Sequence, residues 1–171
     1  AGGFTDVMII PNTKPSITTK AQVEYYKNAS SSLPCTLHPI AGLTKDLKGK
    51  ELADIYELDA TDCVAFSDGL NTLQDDGLLS KALFYIKSTN KTIIQIPDNN
   101  SIAPFGHMHE GITSTRIGLA GRPPLAEESM VARNIELLKY SQSRLHLTGI
   151  STAASVDFIR KAKKEDRKST R

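Results

Sequence analysis

The sequence predicts an α/β fold of the (β/α)8, TIM-barrel type, of which its 171 residues cover about five β/α units. Three observations predict it. Runs rich in β-branched and aromatic residues alternate with amphipathic stretches in units of about thirty residues, the spacing at which a crossover helix returns the chain to a parallel strand. The G-x-G-x-x-G fingerprint of the competing architecture, an open doubly wound dinucleotide-binding sheet, follows none of the strands, and "AGGFTD" precedes its strand. Polar residues stand at the C-terminal ends of strands: Asn12 after the first, Asp68 after the third, Gln95 and Asp98 after the fourth, Thr148 and Ser151 after the fifth. In a barrel those ends converge on one mouth, where the chemistry sits. A complete barrel takes about 250 residues, so the chain reads as the middle of one. Residues 1–165 form the partial barrel domain and 166–171 a basic tail.

Each element has its own signature. "FTDVMII" (4–10), stopped by Pro11, reads as a buried strand. "TTKAQVEYYKNASSS" (18–32) opens on a threonine cap and places Val23 and Tyr26 on one helical face. "CTLHPIAGL" (35–43) is the second strand, "GKELADIYEL" (49–58) its helix, "CVAFSDG" (63–69) the third strand, and "GLLSKALFYIKST" (77–89) the next helix. "KTIIQIP" (91–97) is the fourth strand. A long non-periodic stretch, 98–124, follows, with glycines at 106, 111, 118 and 121. Loops of that length are functional lids or partner surfaces, and Phe105 and Met108 are its candidate apolar anchors. "LAEESMVARNIELLKYSQ" (125–142), "RLHLTGIS" (144–151) and "AASVDFIRKAKKE" (153–165) complete the series as helix, strand and helix.

Composition narrows the function classes. With 39% hydrophobic and 23% charged residues the chain has ordinary globular material. A net charge of +2, much of it carried by the terminal "RKAKKEDRKSTR", is too mild to argue for nucleic acid. Cys35 and Cys63 have no metal or redox spacing and fit buried thiols in a reducing cytoplasm. No apolar run approaches the roughly 18 residues of a membrane span, and no signal peptide opens the chain. A cytoplasmic homo-oligomer without nucleic-acid or membrane partners is expected.

Taken in order, "AGGFTDVMIIPNTKP", "HPIAGLTKDLKGKELADIYEL", "VAFSDG" and "HEGITSTRIGLAGRPPLAEESMVARNIELLKYSQSRLHLTGISTAASVDFIRKAKKE" resemble consecutive blocks of the dihydroorotases of the amidohydrolase superfamily. The Pro-Asn-Thr after the first strand and the Gly-x-Pro-x-x-Ala-Glu entry to the long helix are the most specific. The resemblance implies a (β/α)8 barrel from pyrimidine biosynthesis that interconverts N-carbamoyl-aspartate and dihydroorotate, with one or two zinc ions activating a water. It also implies a His-x-His upstream of Ala1 and an acid/base Asp beyond Arg171. No catalytic residue is assigned within the chain itself.

Matched position by position, the resemblance makes Asn12 a substrate-carboxylate contact and Asp68 of "FSDG" a metal ligand, with Gly69 replacing the second acid of the family's "FSDDG". It puts Gln95 at a metal-binding histidine and Pro97 at the glutamate of a His-x-Glu-Asp block. In "HLTGIS", His146 matches the first histidine and Gly149 stands where the metal-binding one belongs. A carboxamide and a glycine are poor zinc ligands, so those two positions read as empty and zinc as absent or reduced. Plainer readings stand beside these: Asn12 as loop-turn chemistry, Asp68 as a cap or loop acceptor, and His38 and His146 as buried structural histidines. Ser67 and Ser151 lack His and Asp partners at a triad spacing. His107 and His109 of "GHMHEG" look like a metal cluster but lie in the long loop and read as structural. Beside a divergent amidohydrolase that acts on another cyclic amide with a reduced metal site, two functions follow. One is a metal-depleted, weak or inactive homologue that partners aspartate carbamoyltransferase, as inactive dihydroorotase-like chains do. The other is an active zinc-dependent cyclic amidohydrolase whose remaining site residues lie outside this segment.

Overall fold

The computed structural model describes residues 2–102 and 104–169. Each expected strand and helix is present, most of them with shorter bounds. Strand β1 (Asp6–Ile9) pairs in parallel with β2 (Thr36–Pro39), which continues past Ile40 as β3 (Ala41–Gly42). The Ile40 amide donates to Ile9 and the Ala41 amide to Ala65, so this broken strand bridges its two neighbours. Next come β4 (Phe66–Ser67), β5 (Ile93–Gln95) and β8 (Leu145–Leu147), all parallel, in the order β3-β4-β5-β8. The five strand positions therefore lie side by side in the order they occur along the chain. A doubly wound sheet starts in its middle and reverses; consecutive order is that of a barrel wall.

The helices follow from local chemistry. Helix α1 (Lys20–Ser30) begins where the Gln22 side chain accepts the Thr19 amide at 2.8 Å, and α3 (Asp76–Lys87) where the Asp75 carboxylate accepts the Leu78 amide at 2.6 Å. With α2 (Ile55–Asp59) they cover one face of the sheet. Phe66, Ile93, Ala41 and Leu43 meet Val23, Ile55, Leu58, Leu79, Leu83 and Ile86 there, every one of them buried. Helix α5 (Leu125–Ser141) buries Met130, Val131 and Ile135 and packs between α3 and α6 (Ala153–Ser169). No helix among the described residues is long and apolar enough to cross a membrane.

Four expectations change. Strand β1 is not buried: Val7 is 37% and Met8 53% exposed, because β1 has β2 as its one strand neighbour among the described residues and helices on one face only. His146 is exposed for the same reason, and His38 is half-buried against Asp6 at 2.8 Å instead of being a core histidine. Helix α2 starts at Ile55, since residues 49–54 fold back as an extended segment whose Glu51 and Ala53 bond Lys45 and Leu43. Helix α6 runs on through Ser169 instead of ending at residue 165, in a stretch free of glycine and proline; Thr170 and Arg171 of the expected tail lie outside the described residues.

The 98–124 stretch is not a plain loop. It contains β6 (Met108–His109), helix α4 (Ile112–Ile117) and β7 (Gly121–Arg122), with β6 parallel to β7. Glycines make the pairing possible: a Cβ on Gly106 would stand 2.8 Å from the Arg122 Cβ, and one on Gly121 2.8 Å from the Glu110 Cα. Pairing of that kind leaves no hydrophobic alternation to read. Phe105 is 80% exposed and anchors nothing among the described residues, whereas Met108 is half-buried.

Candidate functional site at the strand ends

The C-terminal ends of β3 and β4 meet at Asp68. Its side chain is 2% exposed and fully engaged: Oδ1 accepts the amides of Leu43 (3.0 Å) and Thr44 (2.9 Å), and Oδ2 accepts the Thr44 hydroxyl at 2.6 Å. The Thr44 hydroxyl oxygen in turn accepts the Gly49 amide at 2.9 Å. Burial pushes the Asp68 carboxyl above the ordinary carboxylate range, against the hydrogen bonds from Thr44 and Leu43 that pull it down. Asp68 is thus the acceptor that fixes the turn after β3.

Asn12 joins the first strand end to the same place. Its Nδ2 donates to the Asp68 carbonyl at 3.3 Å and its Oδ1 accepts the Leu70 amide at 3.1 Å, so it bridges both sides of Gly69. Gly69 has φ +63°, and a Cβ there would sit 1.5 Å from Asn12 Oδ1. The departure from "FSDDG" at this position and the Asn12 bridge are one arrangement: an aspartate at 69 would displace Asn12.

At β5 the side chains alternate between buried Ile93 and Gln95 and half-buried Ile94. Gln95 therefore shares the face of Ile93, the one that packs on the helices. It is 3% exposed, and neither its Oε1 nor its Nε2 has a hydrogen-bond partner among the described residues. Gly149 has φ +72°, a conformation that disfavours side chains, and contributes no donor. Zinc takes imidazoles, thiolates and carboxylate oxygens. These strand ends present one committed carboxylate, a carboxamide and a glycine, a set that does not fit zinc. Among the described residues no three of His, Cys, Asp and Glu come together as a metal-binding group. Cys63 is a core thiol that burial pushes up to about 11.

A cavity of about 590 Å³ opens beside this edge, lined by Pro97 and Asp98 after β5, His107 with Met108 and His109 of β6, Arg122 and Glu127 at the entry to α5, and Gly149, Ser151 and Thr152 after β8. Its charged groups are already engaged. Arg122 pairs with Asp98, its Nε donating to Oδ1 at 2.9 Å. Glu127, from the Gly-x-Pro-x-x-Ala-Glu segment, accepts the Ser151 amide at 3.0 Å and the Thr152 amide at 3.1 Å, as well as the Ser151 hydroxyl. Burial pushes its carboxyl up, but the bonds from Ser151, Ser155 and Thr152 outweigh that and hold it below the ordinary value.

The structure therefore brings together Asn12 and Asp68, places Gly149 at the cavity, and keeps Gln95 apart in the helix-facing layer. Thr44 and Glu127 carry roles that reading along the sequence did not assign. Glu127 was signalled by its motif; Thr44 had no signal, since its partner lies 24 residues away.

Comparison with known proteins agrees with this frame. A family model described as dihydro-orotase-like matches residues 1–155. The dihydroorotase of Pelotomaculum thermopropionicum is 38% identical over 162 residues, covering 95% of this chain and 38% of that protein. That of Acetivibrio thermocellus is 39% identical over 170 residues, covering 99% and 40%. The chain thus spans about two fifths of the length of these relatives. Among solved structures, L-hydantoinase (dihydropyrimidinase) from Arthrobacter aurescens superposes with TM-score 0.72 at 21% identity, and a D-hydantoinase from Bacillus sp. AR9 with 0.69 at 18%. Both cover 96% of this chain and 38% of their own, a likeness of fold that agrees with part of a barrel. With its strand order that of a barrel wall and residues 1–155 covered by the family model, the chain belongs to the dihydroorotase-like family.

Proposed function

We propose that this chain is the central barrel segment of a dihydroorotase homologue of de novo pyrimidine biosynthesis that is metal-depleted, catalytically weak or inactive, and works as a structural partner of aspartate carbamoyltransferase. The observation that carries the reading is Asp68. Both of its oxygens are bound to Thr44 and Leu43, so the one family ligand retained in this segment serves the fold. The unpartnered Gln95 carboxamide and the left-handed Gly149 support it at the two matched histidine positions. On this reading zinc is absent or reduced, and the protein is a cytoplasmic homo-oligomer.

Metal analysis of the intact protein, combined with a dihydroorotate hydrolysis assay, tests it. The expected result is well under one zinc per chain and no turnover above background, with aspartate carbamoyltransferase co-purifying. About one or more zinc per chain together with hydrolysis would establish the other reading. That reading, an active zinc-dependent dihydroorotase, draws on the chain's spanning only 38% of such a relative, which leaves room for the upstream His-x-His and the downstream acid/base Asp. Failure of the two proteins to associate at micromolar concentrations would remove the partnership.

A further inference from the structure

We propose that His107 and His109 form a two-imidazole chelate for a late first-row divalent cation, Cu²⁺ or Ni²⁺, at the rim of the cavity beside β5 and β8. The site is separate from the strand-end positions Asp68 and Gln95 and does not depend on what those residues do. Residues two apart on an extended strand project to the same side. Here the extended ladder runs from the His107 amide, which donates to Ala120 at 2.9 Å, to the Glu110 amide, which donates to Arg122 at 3.0 Å. Both histidines line the cavity of about 590 Å³.

The surroundings select a cation over an anion. Arg122, the cationic side chain of the lining, is matched by Asp98, and the amides at the entry to α6 are taken by Glu127. An incoming anion would find those donors already used. The two imidazoles make no hydrogen bond or ion pair with any described residue, so their ring nitrogens are the donors the cavity has left over. Imidazole suits zinc, copper and nickel, and copper binds most tightly in the divalent series. Water entering from the open side of the cavity completes the coordination.

The test uses the intact protein, stripped of metal with a chelator and titrated with Cu²⁺ under electron paramagnetic resonance. One ion per chain with couplings from two imidazole nitrogens is expected. His107→Ala and His109→Ala should each lose one nitrogen coupling and weaken binding by at least the 10- to 100-fold that loss of even an outer-shell partner costs. His38→Ala and His146→Ala should leave affinity and spectrum unchanged, and circular dichroism checks the fold of each variant. Absence of saturable binding, or binding and nitrogen couplings that persist in the His107→Ala/His109→Ala double variant, would overturn the assignment.

Discussion

At the scale of the residue, Asp68 decides how the strand ends are used. Its oxygens take the Thr44 amide and hydroxyl and share the Leu43 amide with the Ser67 carbonyl, and each group left unsatisfied by a substitution costs about 1–3 kcal/mol. Asp68→Ala should therefore lower unfolding stability by about 2–4 kcal/mol. Asp68→Asn keeps an acceptor for both amides and should cost about 1 kcal/mol or less. Urea denaturation of the two variants checks this, and an Asp68→Ala loss no larger than that of Asp68→Asn would contradict it. Asn12 shows a similar economy. Its carboxamide is spent on the peptide groups either side of Gly69, which is the turn chemistry its sequence context allowed.

At the scale of the element, Glu127 ties the first turn of α5 to the chain entering α6. Its folded pKa is held below the ordinary value of 4.5. A depressed carboxyl stabilises the fold above its unfolded pKa, and that contribution is lost as pH falls through the folded pKa. Stability should therefore decline on acidification below about 4.5, and Glu127→Gln should flatten that part of the profile. At neutral pH Glu127→Ala should cost about 1–2 kcal/mol, with Ser151 and Thr152 left without their acceptor. Denaturation midpoints measured between pH 3 and 7 would show both effects, and parallel profiles for wild type and Glu127→Gln would refute the first. Elements were largely legible in the sequence because hydrophobic periodicity is local: "KTIIQIP" and "LAEESMVARNIELLKYSQ" became β5 and α5. The β6–β7 pair was not, since close approach at Gly106 and Gly121 holds it together. Nor was the Thr44–Asp68 contact, which joins residues far apart in the chain. Exposure of Met8 and His146 depends on which sheet face the helices cover, and alternation alone does not say.

At the scale of the whole molecule, the five strand positions lie side by side with helices on one face and Met8, His38, Ile94 and His146 exposed or half-buried on the other. Protection should follow that plan. Amides of β4 and β5, which have neighbours on both sides and the fully buried Phe66 and Ile93, should exchange most slowly, with β1 and β8 at the edges exchanging faster. Hydrogen exchange read by mass spectrometry would check the ranking, and slowest exchange in β1 would contradict it. The consecutive order has one more consequence, for how such a wall is made. Each of its strands joins a neighbour that was synthesised just before it. The sheet can therefore grow from one end as the chain leaves the ribosome, with no early strand held unpaired while a distant partner is still untranslated.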